Sequence, residues 1–450
     1  MKKLLISLIS LSILYLIASI KISYAIDVVG NYEQYGKSGS HYSVEAVKQL
    51  KNGEIVAVGG MYFSAKQFKK EDYAINPWQI SHGWIGKFDK KGNKIWIRVD
   101  KGNNIVFFDV TPLEDGGFVV AGTTRENKKV HGYIEKFDKN GKEIWRKMLI
   151  KKQKTNPYEQ ESKDWMRTIT QTKDGGFVVG GYYSLMADGF SVYSGWLIKF
   201  DKNGRKVWDK VFKGSHSKEQ DFYVTIVRAT RDGGFIARLY HSNNLYGNKS
   251  CDEIVKFDKD GKKMWVKQLD SMITVNSISQ TKDGGYILGG YISKKYSKVY
   301  HAYIMKLNNN GKKVWDKTFG VVMSGQNVTN ECINAISQTK DGGYIVGASV
   351  YSPFADDGST FETRDAWVVK LDKNGNKVWD KMFGYGDNFV EAIYSVSGTQ
   401  DGNYIIGGCT YDCLRNDYPY QPANGQGWII EFNNDQDYVW TRVFGDEPKD

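Results

Sequence analysis

Three histidines recur in one local context and raise the question of a metal site. His82 stands before Gly-Trp, His131 before Gly-Tyr and His301 before Ala-Tyr. Neutral imidazole is the commonest protein ligand for metals, so three such residues brought together could hold a metal ion. The same position elsewhere in the chain is occupied by other polar residues: Ser194, Asp365 and Gln426. Polar residues at strand ends are the simpler interpretation, and we expect no metal.

Asp-rich turns suggest a second chemistry, calcium binding. The strings DKNG at 201–204 and DKDG at 258–261 supply oxygen ligands close together. An EF-hand loop spreads its ligands over about twelve residues and closes with a Glu. Basic residues and a strand-like run follow both turns instead, so we interpret them as tight hairpin turns. No Ser/His/Asp or Cys/His set falls in one shared loop, and no catalytic residue is predicted.

The chain has four cysteines. Cys409 and Cys413 flank three residues of one loop, and a local disulfide is predicted there after export, with a reduced pair as the alternative. Cys251 and Cys332 fall in non-adjacent copies of the repeat described below, so we expect both to be unpaired. A metal site would need further Cys or His nearby, and none is adjacent.

These candidate residues lie in a unit that is repeated along the chain. Its period of roughly 50–65 residues is typical of repeat architectures. Each copy consists of four β-rich runs joined by short Gly turns and longer loops, which indicates a propeller blade. Each copy ends near a tryptophan: Trp96, Trp145, Trp208, Trp265, Trp315, Trp379 and Trp440. The sequence predicts an all-β fold, a seven-bladed β-propeller of four-stranded antiparallel blades, with eight blades as the alternative.

The patterns within a copy predict how its strands pack. The second run, as in FVVGG at 177–181, is apolar without alternation, so it should be buried on both faces of the sheet. The last run alternates and carries the repeated Trp. A Trp that recurs once per blade is predicted to wedge between adjacent blades, burying about 150–250 Å² each time.

The segment at 26–36 resembles the last strand of a unit but lacks the Trp. It would either pair with the seventh blade and fasten the ring or begin an eighth, degenerate blade. The sequence leaves both arrangements open.

The repeat resembles two known propeller families. An apolar strand ending in Gly-Gly, followed by a Trp after a turn, resembles the kelch repeat. The string FDKNGRKVW at 200–208 is similar to the tryptophan-docking repeat of PQQ-type propellers. The resemblance covers essentially the chain after residue 25 and implies the propeller fold without an activity. The chain lacks the vicinal Cys pair of the quinoprotein dehydrogenases, so no PQQ and no other cofactor is expected.

The first residues are typical of a secretory signal peptide. Lys2 and Lys3 precede an apolar run at 4–20, and Ser-Tyr-Ala at 23–25 offers a cleavage site. An uncleaved anchor is the alternative, because about 17 apolar residues is the low limit for a membrane span. We expect residues 26–450 to form a single propeller domain without a membrane span, a monomer that is secreted, periplasmic or on the cell surface.

Formal net charge is +11, and the lysines are spread over the turns of every copy. Nucleic-acid binding would need a concentrated basic stripe on one face, so no nucleic-acid partner is predicted.

The loops suggest where function resides. The short turns should emerge on one face of the disc and the long loops, 61–82, 151–164, 182–194, 349–364 and 409–426, on the other. Variable loops on a rigid scaffold commonly carry binding. Their aromatic residues are the candidate ligand-binding set: Trp78, Tyr183, Phe190, Tyr193, Tyr351, Phe354, Phe361, Tyr411, Tyr418 and Tyr420. We predict a binding or scaffold protein for a protein or glycan. The alternative is a carbohydrate- or polymer-active enzyme that uses loop acids: Asp356, Asp357 and Glu362.

Overall fold

The computed structural model describes residues 31–35, 40–63, 81–100, 105–126, 129–151, 163–187, 190–213, 220–243, 251–293, 299–320, 329–352, 363–383, 389–412 and 425–445. All regular structure in these ranges is β-strand. None of the described residues forms a helix that is long and apolar enough to cross a membrane.

The strands follow the repeat predicted from the sequence. A first strand, β1 (Asn31–Tyr35), precedes the units. The first unit contains β2 (Ser40–Tyr42), β3 (Ala46–Gln49), β4 (Ile55–Phe63), β5 (Ser81–Phe88) and β6 (Lys94–Val99). The second contains β7 (Val106–Pro112), β8 (Phe118–Glu126), β9 (Lys129–Phe137) and β10 (Glu143–Leu149). The third contains β11 (Lys163–Gln171), β12 (Phe177–Ala187), β13 (Phe190–Phe200) and β14 (Lys206–Phe212).

Four further units complete the described chain. The fourth contains β15 (Gln220–Ala229), β16 (Phe235–Asn243), β17 (Cys251–Phe257) and β18 (Lys263–Gln268). The fifth contains β19 (Ile273–Gln280), β20 (Tyr286–Ser293), β21 (Tyr300–Leu307) and β22 (Lys313–Phe319). The sixth contains β23 (Asn330–Gln338), β24 (Tyr344–Ser352), β25 (Thr363–Leu371) and β26 (Lys377–Phe383). The seventh contains β27 (Phe389–Gly398), β28 (Tyr404–Asp412), β29 (Gly425–Phe432) and β30 (Tyr438–Phe444).

The units are antiparallel meanders arranged as a closed ring. Each strand pairs with the next along the chain, and in the first unit β2 and β3 both pair with β4 as two halves of one inner strand. The first strand of each unit contacts the first strands of its neighbours, from β3 and β7 round to β27 and β3. At the closing seam the Val47 amide donates to Ser395 Oγ at 3.1 Å. The predicted all-β propeller fold is confirmed, and the described strands make seven such units.

The segment before the first unit adds a strand to the seventh unit. β1 pairs in parallel with β30, with Asn31 opposite Trp440 and Tyr35 opposite Phe444. Of the two arrangements that the sequence left open, the described residues adopt the one that fastens the ring.

The repeated tryptophans lie between units, as predicted. Trp96 stacks on Phe118 of the next unit with ring centroids 6.4 Å apart. Six of the seven lie against the turn glycine of the next unit; a Cβ built on Gly141, for example, would lie 2.3 Å from Trp96. Trp440 is 1% exposed, whereas the other six are half-buried, so their burial is less complete than we predicted. These residues are structural.

A recurrent lysine clamps the short turns. Lys306 Nζ lies 2.9 Å from Asp283 of the turn in the same unit, and three other units repeat the pair at 2.8 Å: Lys199 with Asp174, Lys256 with Asp232, and Lys370 with Asp341. Burial alone would raise the pKa of Asp283, but hydrogen bonds from Thr281, Lys306 and the Gly285 amide lower it to about 2. Part of the chain's recurrent lysine content therefore serves the fold.

Candidate functional site

A channel runs along the axis of the ring. It has a volume of about 960 Å³ and is lined by residues from all seven first strands. Strands alternate in direction, so the short turns lie around one end of this channel and the longer connections around the other. We call the second end the long-loop mouth.

A repeated β-bulge determines which side chains line the long-loop mouth. In β11 the register shifts between Met166 and Thr168, so Arg167 stands opposite no residue in the ladder with β12. The same shift occurs in the other five unbroken first strands. A β-bulge interrupts the alternation of side chains between the two faces of a strand, so the side chain of the bulged residue points in a different direction from the one that alternation predicts. The bulged residues, with Glu45 at the equivalent place in the first unit, line a pocket of about 480 Å³: Phe108, Arg167, Thr225, Asn276, Asn334 and Tyr394.

Aromatic rings crowd one side of this mouth. Tyr182 and Tyr223 meet edge to face with centroids 4.8 Å apart, and Tyr193 stacks on Tyr223 at 5.4 Å. Trp165 stacks on Tyr182 at 5.0 Å, and Tyr240 lies 5.7 Å from Tyr223. All five rings are half-buried, and Tyr182, Tyr223 and Tyr240 line the pocket. We call this group, from the third and fourth units, the aromatic rim.

A cation and a carboxylate face the same pocket. The Arg167 guanidinium lies 4.2 Å from the Phe108 ring centroid, and its Nη2 lies 3.5 Å from the Tyr182 hydroxyl. Glu45 accepts a hydrogen bond of 2.9 Å from Ser43. Burial raises the pKa of the Glu45 carboxyl, and the Ser43 hydrogen bond and the Arg167 charge oppose that rise. The mouth therefore combines stacking faces with both signs of charge and with two amides, Asn276 and Asn334.

A second aromatic group lies on the fifth and sixth units. Tyr300 has its centroid 5.0 Å from Tyr291 and 5.9 Å from Tyr351. The Arg364 guanidinium lies 4.2 Å above the Tyr351 ring. Aromatic residues in contact with an arginine guanidinium thus recur on the same face of the ring.

The aromatic residues predicted to bind a ligand lie in several different environments. Tyr193 belongs to the aromatic rim and Tyr351 to the second group. Tyr183 is only 6% exposed and meets Trp196 edge to face at 6.0 Å, so it belongs to the core, not to a binding surface. For Phe190 and Tyr411 the structure gives the backbone, in β13 and β28. Outside the described residues lie Trp78, Phe354, Phe361, Tyr418 and Tyr420.

The other predicted site residues stand as follows. Cys409 and Cys332 are buried, and Cys251 is half-buried. Cys413 lies outside the described residues, so the disulfide stays a prediction. The three candidate loop acids also lie outside them: Asp356, Asp357 and Glu362.

The histidines do not assemble into a metal site. His301 Nδ1 lies 2.9 Å from Glu331 of the next unit, and His131 Nδ1 lies 3.8 Å from Asp164 of the next unit. Each faces the seam between units, so the ring geometry holds them apart. Among the described residues there is no group of three or more His, Cys, Asp or Glu side chains that could hold a metal.

Sequence reasoning missed most of the mouth. Trp165, Tyr223 and Tyr240 lie in strands outside the predicted long loops, and Tyr182, the first residue of the predicted loop 182–194, lies in β12. A signal was present, since the bulged residue always stands five positions before the residue that opens the short turn, as Arg167 does before Thr172. Strict alternation could not show it, because the bulge changes the face on which that residue lies.

Comparison with known proteins gives structural similarity only. No protein-family model and no curated protein matches the chain. The WD40 domain of SCAP from fission yeast is 8% identical, with a TM-score of 0.37. The match covers 91% of this chain and 89% of the SCAP chain. Drosophila Semaphorin 2a is 9% identical, with a TM-score of 0.44, and the match covers 84% of this chain and 76% of the semaphorin chain. A Dyadobacter fermentans protein of unknown function is 13% identical, with a TM-score of 0.43, covering 76% and 98%.

The fold assignment rests on the strand pairing of this chain itself. All the identities are below 25% and all the TM-scores below 0.5, so none of these proteins lends it a function. Likewise, no family model supports the kelch or tryptophan-docking similarity, which stays a resemblance of repeat pattern.

Proposed function

We propose that this protein is an exported binding protein that recognises a glycan or a protein through the long-loop mouth. The observation that carries this proposal is the aromatic rim beside the polar pocket. Aromatic faces supply contact area at small cost in conformational entropy, and Asn276, Asn334, Arg167 and Glu45 supply directional hydrogen bonds. A pocket of about 480 Å³ is within the usual range for ligand sites.

The geometry favours a glycan over a protein as the first ligand to test. Pyranose rings present apolar C–H faces that stack on aromatic rings and hydroxyl edges that bond to amides and charged groups. The mouth offers both within one pocket, whereas a protein partner would require the wider face.

The described part of the mouth does not favour the enzyme alternative. Glycoside hydrolysis uses two carboxyl groups on either side of the scissile bond. Among the described residues that line this pocket, Glu45 is the single carboxylate, and Arg167 faces it. This arrangement suits ligand binding better than acid–base catalysis.

Glycan-array binding, followed by titration calorimetry on the glycans found, tests the proposal. Tyr182→Ala and Tyr223→Ala should each weaken binding at least tenfold, because aromatic residues dominate binding energy at such sites. Ile144→Ala changes an exposed residue of an outer strand and serves as the matched control. Array binding that is unaffected by both rim substitutions would contradict the proposal.

Export and cleavage belong to the same proposal. We propose that residues 1–25 are removed and that residues 26–450 act as one monomeric propeller domain outside the cytoplasm. Mass spectrometry of the native protein should find Ile26 at the N-terminus, whereas an intact leader would indicate an anchored form.

A further inference from the structure

The other half of the channel, near the short turns, carries an uncompensated positive charge. Lys48 of β3 and Arg228 of β15 occupy equivalent positions, two residues before the one that opens the turn, in units across the ring from each other. Both line the channel together with hydroxyl side chains at the same level, among them Ser279 and Ser337.

The carboxylate whose charge acts on Lys48, that of Asp109, is already saturated by other donors. Asp109 Oδ2 accepts from the Thr168 hydroxyl, the Ile169 amide and Arg228 Nη1, each at 3.1 Å. Its Oδ1 accepts from the Val110 amide at 2.9 Å. Asp109 therefore fixes Arg228 against the channel wall and has little capacity left to accept from Lys48.

Lys48 has no hydrogen-bond or ion-pair partner among the described residues. Burial, and then the Arg228 charge, lower the pKa of its ammonium group to about 8, and Asp109 only partly opposes them. The charged groups that line the channel around Lys48 are Glu45, Asp109, Glu114, Arg167, Lys173, Arg228 and Arg231. Lys48 is half-buried, and a partly desolvated cation without an acceptor gains from a ligand that supplies one.

The short-turn end of the channel is itself cationic. The residue after the turn-opening position is basic in five of the seven units: Lys51, Lys173, Arg231, Lys282 and Lys340. Three of them reach across seams to a backbone carbonyl: Arg231 to Lys282 O at 2.9 Å, Lys282 to Lys340 O at 2.5 Å and Lys340 to Gln400 O at 3.4 Å. Glu114, the one acid at this position, pairs with Lys51. A ring of like charge around a narrow opening attracts counter-ions.

We propose that the channel binds a small oxyanion, a sulfate, phosphate or carboxylate group, between Lys48 and Arg228, and that the ligand enters from the short-turn face. The anion would accept from the Lys48 ammonium, from Arg228 nitrogens not used by Asp109, and from the serine hydroxyls. This site is separate from the long-loop mouth and does not depend on the function proposed for it.

Titration of the purified protein with sulfate tests the site, because sulfate keeps its charge between pH 7 and pH 9. Lys48→Met should abolish binding measured by calorimetry at pH 7. The parent should bind about tenfold more weakly at pH 9 than at pH 7, because only about one Lys48 in ten is then protonated. Lys48→Arg should bind at both pH values with equal affinity, since the guanidinium stays charged.

Lys313→Met, which removes an exposed lysine of an outer strand, is the control and should bind sulfate as the parent does. Equal sulfate binding in the parent and Lys48→Met would assign the effect to surface lysines and overturn the proposal. Absence of binding by the parent would also overturn it. If Lys48→Met fails to fold, the pH profile of Lys48→Arg decides: a tenfold loss like the parent's contradicts the site.

Discussion

At the level of single residues, one seam position holds two different arrangements of ionisable groups. Two seams set a histidine against an acid, His131 with Asp164 and His301 with Glu331. At the equivalent seam between the sixth and seventh units the histidine is replaced by Asp365, opposite Glu391. Burial raises the pKa of Asp365 to about 6, and burial followed by the Asp365 charge raises that of Glu391 well above its usual value. This seam sets two carboxyl groups against each other, where those two seams set a histidine against one carboxyl group.

Asp365→Asn is expected to stabilise the protein at neutral pH. The folded pKa exceeds the unfolded value of about 4, so stability falls as the pH rises from about 4 through about 6 and stays low above it. The substitution should add about 2 kcal/mol to the free energy of unfolding at pH 7.5 and less than about 1 kcal/mol at pH 4. Urea unfolding at both pH values measures this, with the exposed Asp435→Asn as control. Parallel pH profiles for parent and variant would contradict the assignment.

A second residue-level feature is an ion pair within the fourth unit. Arg238 occupies a position that is glycine in other units: Gly180, Gly289, Gly347 and Gly407. Asp252 occupies one that is elsewhere small: Gly132, Gly195, Ala302 and Ala366. Arg238 Nε and Nη2 each lie 2.9 Å from Asp252 Oδ1, and both residues are under 10% exposed. Arg238 and Asp252 each replace a small residue of the repeat, and each supplies the opposite charge that the other needs when buried.

Arg238→Ala should cost about 3–5 kcal/mol, because it leaves the Asp252 carboxylate buried without its cation. Arg238→Ala/Asp252→Ala should cost much less than the sum of the two single substitutions, since no unpaired charge remains. A double-mutant cycle by chemical denaturation measures the coupling. The exposed pair Lys259 and Asp260, treated in the same way, should show no measurable coupling. Additive costs in the buried pair would contradict this account.

At the level of elements, the turn between the third and fourth strands of a unit is constrained by packing against the tryptophan of the preceding unit. Gly311 has φ of +76° and faces Trp265 of the preceding unit, with a built Cβ 2.8 Å from the indole. Gly284, in the other short turn of the same unit, has φ of +83° and nothing within 4 Å of a built Cβ. The two glycines share a backbone requirement but differ in packing.

Gly284→Ala should therefore cost only the left-handed backbone strain, about 1 kcal/mol. Gly311→Ala should cost a further 1–3 kcal/mol or so, because the methyl group displaces Trp265 from its docked position. Chemical denaturation gives both costs, and a shift in tryptophan emission should accompany Gly311→Ala alone. Equal costs without a spectral change would show that docking does not constrain this turn.

At the level of the whole molecule, the seam between the seventh and first units differs from the other six. β1 covers β30, and the residues beneath it are almost fully enclosed: Trp440 is 1% and Arg442 0% exposed. Arg442 Nε donates to Gly92 O of the first unit at 2.6 Å. The ring is thus closed by an added strand and a buried arginine, whereas the equivalent seams use half-buried tryptophans.

Deletion of residues 31–35 is expected to lower the free energy of unfolding by roughly 2 kcal/mol or more, because the β30 ladder loses its hydrogen bonds and Trp440 gains solvent. Acrylamide quenching of tryptophan fluorescence should rise, and a Trp440→Phe background should remove most of that rise. Unchanged stability and quenching would mean that β1 is not needed for closure. The same deletion in the Lys48→Met protein should be additive, since the channel site is remote from β1.

Much of this architecture could be predicted from the sequence because it is encoded locally. Turn pairs such as Asp-Gly at 174–175, the apolar second strands and the recurrent tryptophans each act within one unit or on its neighbour. The candidate site was harder to predict. Arg167 and its counterparts face the channel only because a bulge interrupts alternation, and Tyr183, next to the rim residue Tyr182, points instead into the core.

The sequence by itself determined the unit, its strand order and the face on which the long connections emerge, because hairpin chemistry and hydrophobic periodicity depend on near neighbours in the chain. Only the tertiary structure decided which units become neighbours across the closing seam, which side chains meet at each seam, and which cations share the channel. Those relations join residues as distant as Val47 and Ser395, and they depend on ring closure, which no local pattern specifies.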